Sequence, residues 1–269
     1  MALEQRTCPS AGELSTNLRQ SLFNGHSDRF GPGIAMPTFE PQATLKFMNV
    51  DIIAAADVLK PRAETEILGR RAVEQLLQIG IVRPLRVVDM CCGSGNLAVA
   101  IALHVPDCRV WAADLTDAAA IAAKSNIELH RLSDRVEIRQ GNLFAAFDGD
   151  GLEKTIDLVV CNPPYISAAR LDGPSANLLL GEPREAFDGG PFGLSIHQRL
   201  VRDAATFLKP GGFLMCEFGV GQDRQVASLI ERSRAYHPCE NVLDTNGIPR
   251  VAVARRLEFD DGPLQGPAR

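Results

Sequence analysis

Apolar runs of strand length alternate with helical patterns along most of this chain, and this alternation restricts the possible folds more than any other feature. The runs at 85–90, 109–113 and 156–161 are rich in Val, Ile, Leu and Ala. Parallel strands buried on both faces have this composition, and helices make the connections between them. The sequence therefore predicts an α/β fold with a mostly parallel sheet. An Asn246-Gly247 turn between two late apolar runs predicts a terminal antiparallel hairpin.

The turn Asn162-Pro163-Pro164-Tyr165 directly follows the apolar run 156–161. Open α/β sheets place their chemistry just past the carboxyl ends of the strands. Two consecutive prolines remove backbone donors and fix φ, so the turn is stiff. It can hold the Asn162 side-chain oxygen and a free backbone carbonyl in fixed directions, and two such acceptors suit a planar NH2 group. The turn thus predicts a site that presents a planar nitrogen to an electrophile.

A glycine-containing loop at 91–96 (CCGSGN) connects the first apolar run to a buried helical pattern. Glycines at a strand-to-helix turn allow a ligand to approach the backbone closely. The next strand ends at Asp114, 19 residues after Gly95, where an acid can accept hydrogen bonds from a ribose diol. Loop and acid together indicate a nucleoside site, and by themselves they fit NAD as well as S-adenosylmethionine.

With the proline turn added, the chain resembles a class I S-adenosylmethionine-dependent methyltransferase of the N-methylating kind. Segment 61–66 (PRAETE) resembles the P-R-x-x-T-E motif of the HemK/PrmC family, and segment 182–194 resembles its E-P-x-x-A-L-x-G-G-x-x-G-L motif. The resemblance implies a Rossmann-like, mostly parallel seven-stranded sheet with a terminal antiparallel hairpin. It also implies S-adenosylmethionine as the cofactor and methylation of a glutamine side-chain amide in a peptide-chain release factor.

The same resemblance implies roles for individual residues. Asn162, Pro163 and Tyr165 are expected to be catalytic, and no residue is assigned to a metal. The residues expected to bind the cofactor are Thr65, Asp89, Cys91, Gly93, Gly95, Asn96, Asp114, Leu115, Asn142, Leu143 and Asn162. Those expected to contact the substrate are Glu66, Asn162, Pro163, Pro164, Tyr165, Glu182 and His197. Two of them have a simpler structural interpretation, since Glu182 could pair with Arg62 or Arg184 and His197 could lie elsewhere.

Two different classes of substrate are expected from different parts of the sequence. HemK/PrmC proteins usually carry a substantial helical domain ahead of the catalytic core, whereas residues 1–58 form only a short, turn-rich segment here. This segment, a candidate substrate lid or homodimer arm, favours a small amino-acid-like substrate with an amide or guanidinium group, such as free arginine. The alternative is the release-factor glutamine. A third possibility is a non-catalytic module that only binds the cofactor. The methyltransferase domain is expected at 59–257, and a disordered tail at 258–269.

Composition narrows the classes of partner and compartment. The chain has 269 residues, a net charge of −5 and no lysine/arginine cluster, so nucleic acid is not expected as a partner. It has no apolar run long enough to span a membrane and no secretory signal. Seven cysteines, an odd number, fall partly within predicted strands and are expected to be reduced thiols of a cytoplasmic protein.

Overall fold

The structure, a computed structural model, describes residues 41–80 and 83–258. The predictions for 1–40 and for the tail beyond 258 lie outside the described residues. Seven strands form one sheet in the order β5-β4-β3-β6-β7-β9-β8, and two others form a separate hairpin. The strands are β1 (Pro41–Phe47), β2 (Val50–Ala55), β3 (Leu85–Met90), β4 (Cys108–Asp114), β5 (Val136–Gln140), β6 (Ile156–Cys161), β7 (Leu208–Glu217), β8 (Glu240–Leu243) and β9 (Pro249–Arg255).

The centre of the sheet is the strand that precedes the proline turn. Every residue of β6 is buried, and β6 pairs in parallel with β3 on one side and β7 on the other. The chain progresses outward from β3 through β4 to β5, and in the opposite direction through β6 to β7. The strand order therefore reverses between β3 and β6, and in open α/β sheets ligands bind at the carboxyl side of such a switch point.

The last two strands form an antiparallel hairpin, as the Asn246-Gly247 turn predicts, and only β9 runs against the other strands of the sheet. Strand β9 pairs antiparallel with both β7 and β8. Asp244 stabilises the connecting turn, because its Oδ1 accepts hydrogen bonds from the backbone amides of Asn246 and Ile248. The mostly parallel seven-stranded sheet with a terminal antiparallel hairpin is thus confirmed.

Six α-helices cover the faces of the sheet in the described part of the chain. Thr116 caps the third of them by accepting a hydrogen bond from the amide of Ala119 at 3.2 Å. The sequence analysis did not predict the first helix. The helices are α1 (Thr65–Ile79), α2 (Asn96–His104), α3 (Asp117–Leu129), α4 (Ala168–Leu171), α5 (Ser195–Phe207) and α6 (Asp223–Ser233), and short 3-10 turns lie at Leu143–Phe147, Ala176–Leu180 and Arg184–Ala186. None of the helices within the described ranges is long and apolar enough to cross a membrane.

The β1–β2 hairpin is a second element that was not predicted. Its tight turn places Met48 and Asn49 at positive φ, and Phe47 and Ile52 pack into the same apolar core as α1, α2 and α3. Asn126 of α3 fixes the hairpin to the body of the molecule. Its side chain exchanges hydrogen bonds with the backbone of Ile53 and donates another to the carbonyl of Ser94 in the glycine loop. The hairpin thereby buttresses the loop from behind.

Candidate active site

An open cleft lies at the carboxyl ends of β3, β4 and β6, at the switch point of the sheet. The glycine loop and the proline turn form two of its walls, and the segment before α1 forms a third. The lining residues used below are Leu59, Cys91, Gly93, Asp114, Leu115, Asn142, Leu143, Asn162, Pro164 and Ile196. Seven of the predicted cofactor-binding residues and one further predicted substrate-binding residue therefore share one cleft.

The glycine loop is held to the end of β4 by one carboxylate. The amide of Gly93 donates a hydrogen bond to Asp114 Oδ2 at 2.9 Å. Gly93 and Gly95 both have positive φ, and so does Cys91. A Cβ on Gly95 would lie only 3.0 Å from Cβ of Ala123 on α3, whereas a Cβ on Gly93 would meet nothing nearer than the Leu59 carbonyl at 4.0 Å. Gly95 thus permits close packing of helices, and Gly93 leaves space on the cleft side.

Asp114 is the acid expected at the ribose. Burial raises its pKa, although hydrogen bonds from Gly93 and Thr116 oppose this effect. A carboxylate has about four acceptor positions, so these contacts leave room for a ligand hydroxyl. The next residue, Leu115, is 52% exposed at the cleft, and an exposed aliphatic side chain there offers an apolar surface to a ligand ring.

Asp89 has a structural role that differs from the predicted one. It is completely buried in β3 and does not line the cleft, so this arrangement gives no support to its predicted role as a direct cofactor ligand. Its Oδ2 accepts the amide of Ala98 at 2.9 Å and so caps the amino end of α2, while Oδ1 has no partner in the described chain. Burial raises the pKa of Asp89 to about 8. Asn96, the first residue of α2, also lies outside the lining of the cleft.

The proline turn carries the two predicted acceptors, the Asn162 side-chain oxygen and the Pro163 carbonyl, and Asn162 and Pro164 are its residues that line the cleft. Asn162 Nδ2 donates a hydrogen bond to Thr65 Oγ1 at 3.0 Å, which leaves Asn162 Oδ1 without a partner among the described residues. The carbonyl of Pro163 likewise accepts no hydrogen bond from the described part of the chain. Thr65 is only 2% exposed and lies behind Asn162, so it supports the turn and is not placed to contact the cofactor directly.

Tyr165 is fixed at both its ends. Its hydroxyl donates to Glu217 Oε1 at 3.2 Å, and its carbonyl accepts from Gln222 Nε2 at 3.0 Å. Glu217 is 1% exposed at the end of β7, and Arg250 Nη2 lies 3.7 Å from the same carboxylate oxygen. Burial raises the pKa of Glu217, and the hydroxyls of Thr65 and Tyr165 and the charge of Arg250 oppose that rise.

The glycine-rich segment 189–193 lies against the backbone of the proline turn. The amide of Ile166 donates to the carbonyl of Phe187, and the amide of Gly189 donates back to the carbonyl of Ile166. Side chains have no room here, because a Cβ on Gly193 would lie 2.3 Å from the Tyr165 carbonyl oxygen. Gly189 and Gly193 therefore allow the segment to lie close to the turn, which is joined to it by an isolated β-bridge between Ile166 and Asp188.

Three predicted substrate contacts are placed elsewhere. Glu182 forms an ion pair with Arg62 and accepts the amide of Lys60, which is the simpler of the two interpretations considered. Glu66 accepts the amide of Met48 and pairs with Arg70, so it holds the β1–β2 turn and does not line the cleft. These contacts give no support to the predicted substrate role of Glu66.

His197 is also not available to a substrate. It is fully buried on α5, where its Nε2 donates to the carbonyl of Glu217 at 2.9 Å. Burial lowers its pKa to about 4, so the ring is neutral at physiological pH. The predicted substrate contact of His197 has no support in this arrangement, because the residue occupies the apolar face of its helix together with Leu200, Val201 and Ala204.

Asn142 lines the cleft on the side away from the proline turn. Its Oδ1 accepts a hydrogen bond from Arg199 Nη2 at 2.8 Å. An amide oxygen has two lone pairs, and the NH2 group adds two donors, so Asn142 retains capacity for a ligand. Leu143 follows at positive φ and contributes to the cleft lining. The sequence analysis missed Leu59 and Ile196, whose apolar side chains complete the lining and carry no recognisable motif.

These features fit S-adenosylmethionine. The open space beside Gly93 and the carboxylate of Asp114 suit the close approach and the hydroxyl groups of a nucleoside. Apolar side chains at Leu115, Leu143 and Ile196 suit a base. Asn162 lies on the other wall of the same cleft, so a donor bound at the glycine loop would be close to it.

Comparisons with known proteins agree. Residues 74–187 match the family model described as the methyltransferase small domain. The release factor glutamine methyltransferase of Gloeobacter violaceus is 36% identical over 219 residues, which cover 81% of this chain and 74% of that protein. The ribosomal protein uL3 glutamine methyltransferase of Bradyrhizobium diazoefficiens is 41% identical over 138 residues, or 51% of this chain and 42% of that protein.

Among solved structures, ribosomal protein L11 methylase from Lactobacillus delbrueckii subsp. bulgaricus matches with a TM-score of 0.52 and 18% identity, covering 74% of this chain and 81% of that one. At that identity the match shows the fold alone. Sheet order, cleft and family model define a class I S-adenosylmethionine-dependent N-methyltransferase. More particularly, the chain belongs to the release factor glutamine methyltransferase family, the HemK/PrmC family.

Proposed function

We propose that this enzyme methylates the side-chain amide of a glutamine within a protein substrate. The observation that carries the proposal is the pair of acceptors at the proline turn, Asn162 Oδ1 and the Pro163 carbonyl, which have no partners among the described residues. A primary amide has two N–H donors in one plane and can satisfy both acceptors at once. Relatives that share about a third of their residues with this chain are named for glutamine methylation, which supports the same group.

The acceptors would also help the chemistry. An amide nitrogen is a poor nucleophile because its lone pair is delocalised into the carbonyl. Hydrogen bonds from its N–H groups to Asn162 Oδ1 and the Pro163 carbonyl increase the electron density on nitrogen, and they strengthen as the N–H groups become more acidic during transfer. S-adenosylmethionine supplies a methyl group that is already activated by attachment to a positively charged sulfur.

The chain's other contribution is orientation. The prolines and the glycine segment 189–193 hold the turn rigidly, and Asp114 and Gly93 mark the cofactor side of the same cleft. Alignment of a nucleophile with its electrophile can supply several kcal/mol of the barrier, in principle up to ~7–11 kcal/mol. Glu185 lines the same cleft as Asn162, and the proton released when the amide nitrogen takes the methyl group would leave through this open cleft.

The expectation of a small free amino acid is not supported by the relatives. It rested on the segment 1–58, of which residues 1–40 lie outside the described structure. This chain covers 74% of the Gloeobacter violaceus protein and 70% of that of Geobacter sulfurreducens, and both proteins are named release factor glutamine methyltransferase. The alternative stated from the sequence is therefore the better supported one. The names leave two protein substrates, a release factor and ribosomal protein uL3.

A transfer assay separates these substrates. The full chain would be incubated with S-adenosylmethionine and, in parallel, an intact release factor, ribosomal protein uL3, a Gly-Gly-Gln peptide, L-glutamine and L-arginine. Mass spectrometry of the products would locate any added methyl group. We expect methylation of one glutamine in a protein substrate, with weaker transfer to the peptide. Methylation of only a free amino acid would overturn the proposal, and the protein that accepts the methyl group would decide between the two candidates.

A further inference from the structure

We propose that Thr65 and Glu217 are positioning residues that fix which way the Asn162 amide faces. The inference rests on the proposed function, because it explains how the acceptor for a substrate NH2 group is kept pointing at the cleft. Neither residue lines the cleft, and they are 2% and 1% exposed. They can therefore act on the substrate only through Asn162 and its neighbours.

The Asn162 amide has two possible orientations of similar shape. In one, Oδ1 faces the cleft and can accept from a substrate NH2 group. In the other, Nδ2 faces the cleft, and two sets of donors oppose each other. The structure holds the first orientation through the hydrogen bond from Asn162 Nδ2 to Thr65 Oγ1 at 3.0 Å.

A threonine hydroxyl alone could not choose between these orientations, since it can donate to Oδ1 as readily as it accepts from Nδ2. Glu217 removes this ambiguity. The charge of Arg250 and the hydroxyls of Thr65 and Tyr165 favour the ionised form of Glu217, and an ionised carboxylate only accepts hydrogen bonds. Glu217 Oε2 is buried and receives no hydrogen bond, while the Thr65 hydroxyl, which accepts from Asn162, still has its proton to donate. With its proton directed there, Thr65 can only accept from Asn162.

The same carboxylate orders the other side of the turn. Tyr165 donates its hydroxyl proton to Glu217 Oε1 at 3.2 Å, and Arg250 lies 3.7 Å from that oxygen as the nearest cation. His197 donates to the backbone carbonyl of Glu217 and so fixes the end of β7 from the opposite side. One buried acid thus sets the direction of both hydroxyls that support the proline turn.

Three variants of the full chain and one control test this inference. Thr65→Val removes the hydroxyl at nearly constant volume, and Thr65→Ser restores it. Glu217→Gln replaces an acceptor-only group with one that can also donate. Thr155→Val is the matched control. Thr155 is a threonine whose hydroxyl makes a hydrogen bond elsewhere, to the carbonyl of Leu152 at 2.7 Å, and it lies at the amino end of β6.

The first readout is methyl transfer to whichever glutamine substrate the wild-type enzyme accepts. We expect Thr65→Val to lower kcat at saturating substrate by tenfold or more, on the order of what a misoriented catalytic group costs, with KM changed less. Thr65→Ser and Thr155→Val should keep kcat within about threefold, and Glu217→Gln should fall between. Binding of S-adenosylhomocysteine and the melting temperature, measured for each variant, would separate this effect from misfolding.

The second readout needs no substrate, so it also applies if the proposed glutamine activity fails. In protein labelled with 15N-asparagine, the Asn162 side-chain signal is identified by its loss in Asn162→Asp. Hydrogen exchange of its NH2 group should be slow in wild type and in Thr65→Ser, and at least about tenfold faster in Thr65→Val. Unchanged exchange in Thr65→Val, or an unchanged kcat, would overturn the inference. Failure of the wild type to methylate any glutamine would overturn only the proposed function.

Discussion

Buried carboxylates at the two ends of the sheet have pKa values shifted in opposite directions. At the amino ends of the central strands, Asp157 is fully buried. Its carboxylate accepts two hydrogen bonds from the Arg83 guanidinium and one from the backbone amide of Arg86, and it forms an ion pair with Lys209. Burial alone would raise the pKa of Asp157, yet these partners lower it below its ordinary value. At the carboxyl ends, burial raises the pKa of Asp89, Asp114 and Glu217.

The difference shows at which end of the sheet the buried carboxylate is neutralised by ion pairs. A fully paired acid such as Asp157 ties three strands together and offers nothing to a ligand. The acids at the other end are held mainly by backbone amides and hydroxyls, and one of them, Asp114, lines the cleft. Functional sites commonly contain groups whose pKa is displaced by burial, at a cost in stability. The amino end is therefore expected to determine stability, and the carboxyl end to determine activity.

Asn162→Ala, at the carboxyl end of the sheet, should give the largest loss of activity. The variant loses the side-chain acceptor for the substrate NH2 group, and removal of one such preorganised group typically costs about 10²–10³ in kcat. Binding of S-adenosylhomocysteine, followed by calorimetry, should stay within about threefold because Gly93 and Asp114 are unchanged. Asn142→Ala, on the cofactor side of the cleft, is the control and should weaken cofactor binding more than it lowers kcat. Wild-type turnover in Asn162→Ala would remove the basis of the proposed mechanism.

Asp157→Ala should give the largest loss of stability. It leaves Arg83 and Lys209 without their acceptor, but both cations are partly exposed and can reach water, so we expect about 3 kcal/mol rather than the full cost of a buried charge. Urea denaturation would measure the free energy of unfolding. Transfer activity per folded molecule should be nearly unchanged. Because the pKa of Asp157 is lowered in the folded state, its contribution is present above the unfolded pKa of about 3.9 and is lost as pH falls through the folded value.

The control for Asp157 is Asp203→Ala. Asp203 pairs with its exposed neighbour Arg202 on the surface of α5. Exposed pairs of this kind contribute about 0–1 kcal/mol, so the variant should be close to wild type in denaturation. If both aspartate variants lost the same small amount of stability, the contrast between the two ends of the sheet would be wrong.

The two glycines of the 91–96 loop test whether stability and activity can be separated at the carboxyl end of the sheet as well. Gly95→Ala adds a methyl group 3.0 Å from Ala123 at a positive φ, so we expect a loss of about 2 kcal/mol in unfolding free energy. Gly93→Ala adds its methyl group in open space on the cleft side, so strain should cost only about 1 kcal/mol. Affinity for S-adenosylhomocysteine should fall more in Gly93→Ala than in Gly95→Ala. The reverse order would mean that Gly93 does not face the cofactor.

Several of these contrasts were accessible from the sequence, and others were not. The apolar runs predicted the sheet, and the order of the motifs predicted which loops meet at the cleft. His197 could have been assigned correctly, because its spacing from Leu200, Val201 and Ala204 places it on the apolar face of a helix. Helix α1 was also predictable, since Leu68, Ala72 and Leu76 recur at helical spacing.

The placement of Thr65 and Glu66 could not be predicted. These residues are adjacent and belong to one motif, yet Thr65 contacts Asn162, 97 positions away, and Glu66 contacts Met48 on the hairpin. A motif shows that residues occur together but not which face of a helix each one occupies. The β1–β2 hairpin was missed for a similar reason, because its turn uses Met48 and Asn49 at positive φ and depends on tertiary packing.

Asp89→Asn should cause the smallest loss of stability among these variants, and it sharpens the comparison through pH. The folded pKa of Asp89 is raised to about 8, against about 3.9 in an unfolded chain, so the folded state holds a proton that the unfolded state has released. The stability of wild type should therefore fall as pH rises between about 4 and 8, by at most about 1.4 kcal/mol per unit. Asparagine keeps an acceptor for the Ala98 amide and does not titrate. Urea denaturation at pH 5, 6, 7 and 8 should show the variant gaining on wild type as pH increases, and a constant difference would mean that Asp89 is ionised throughout.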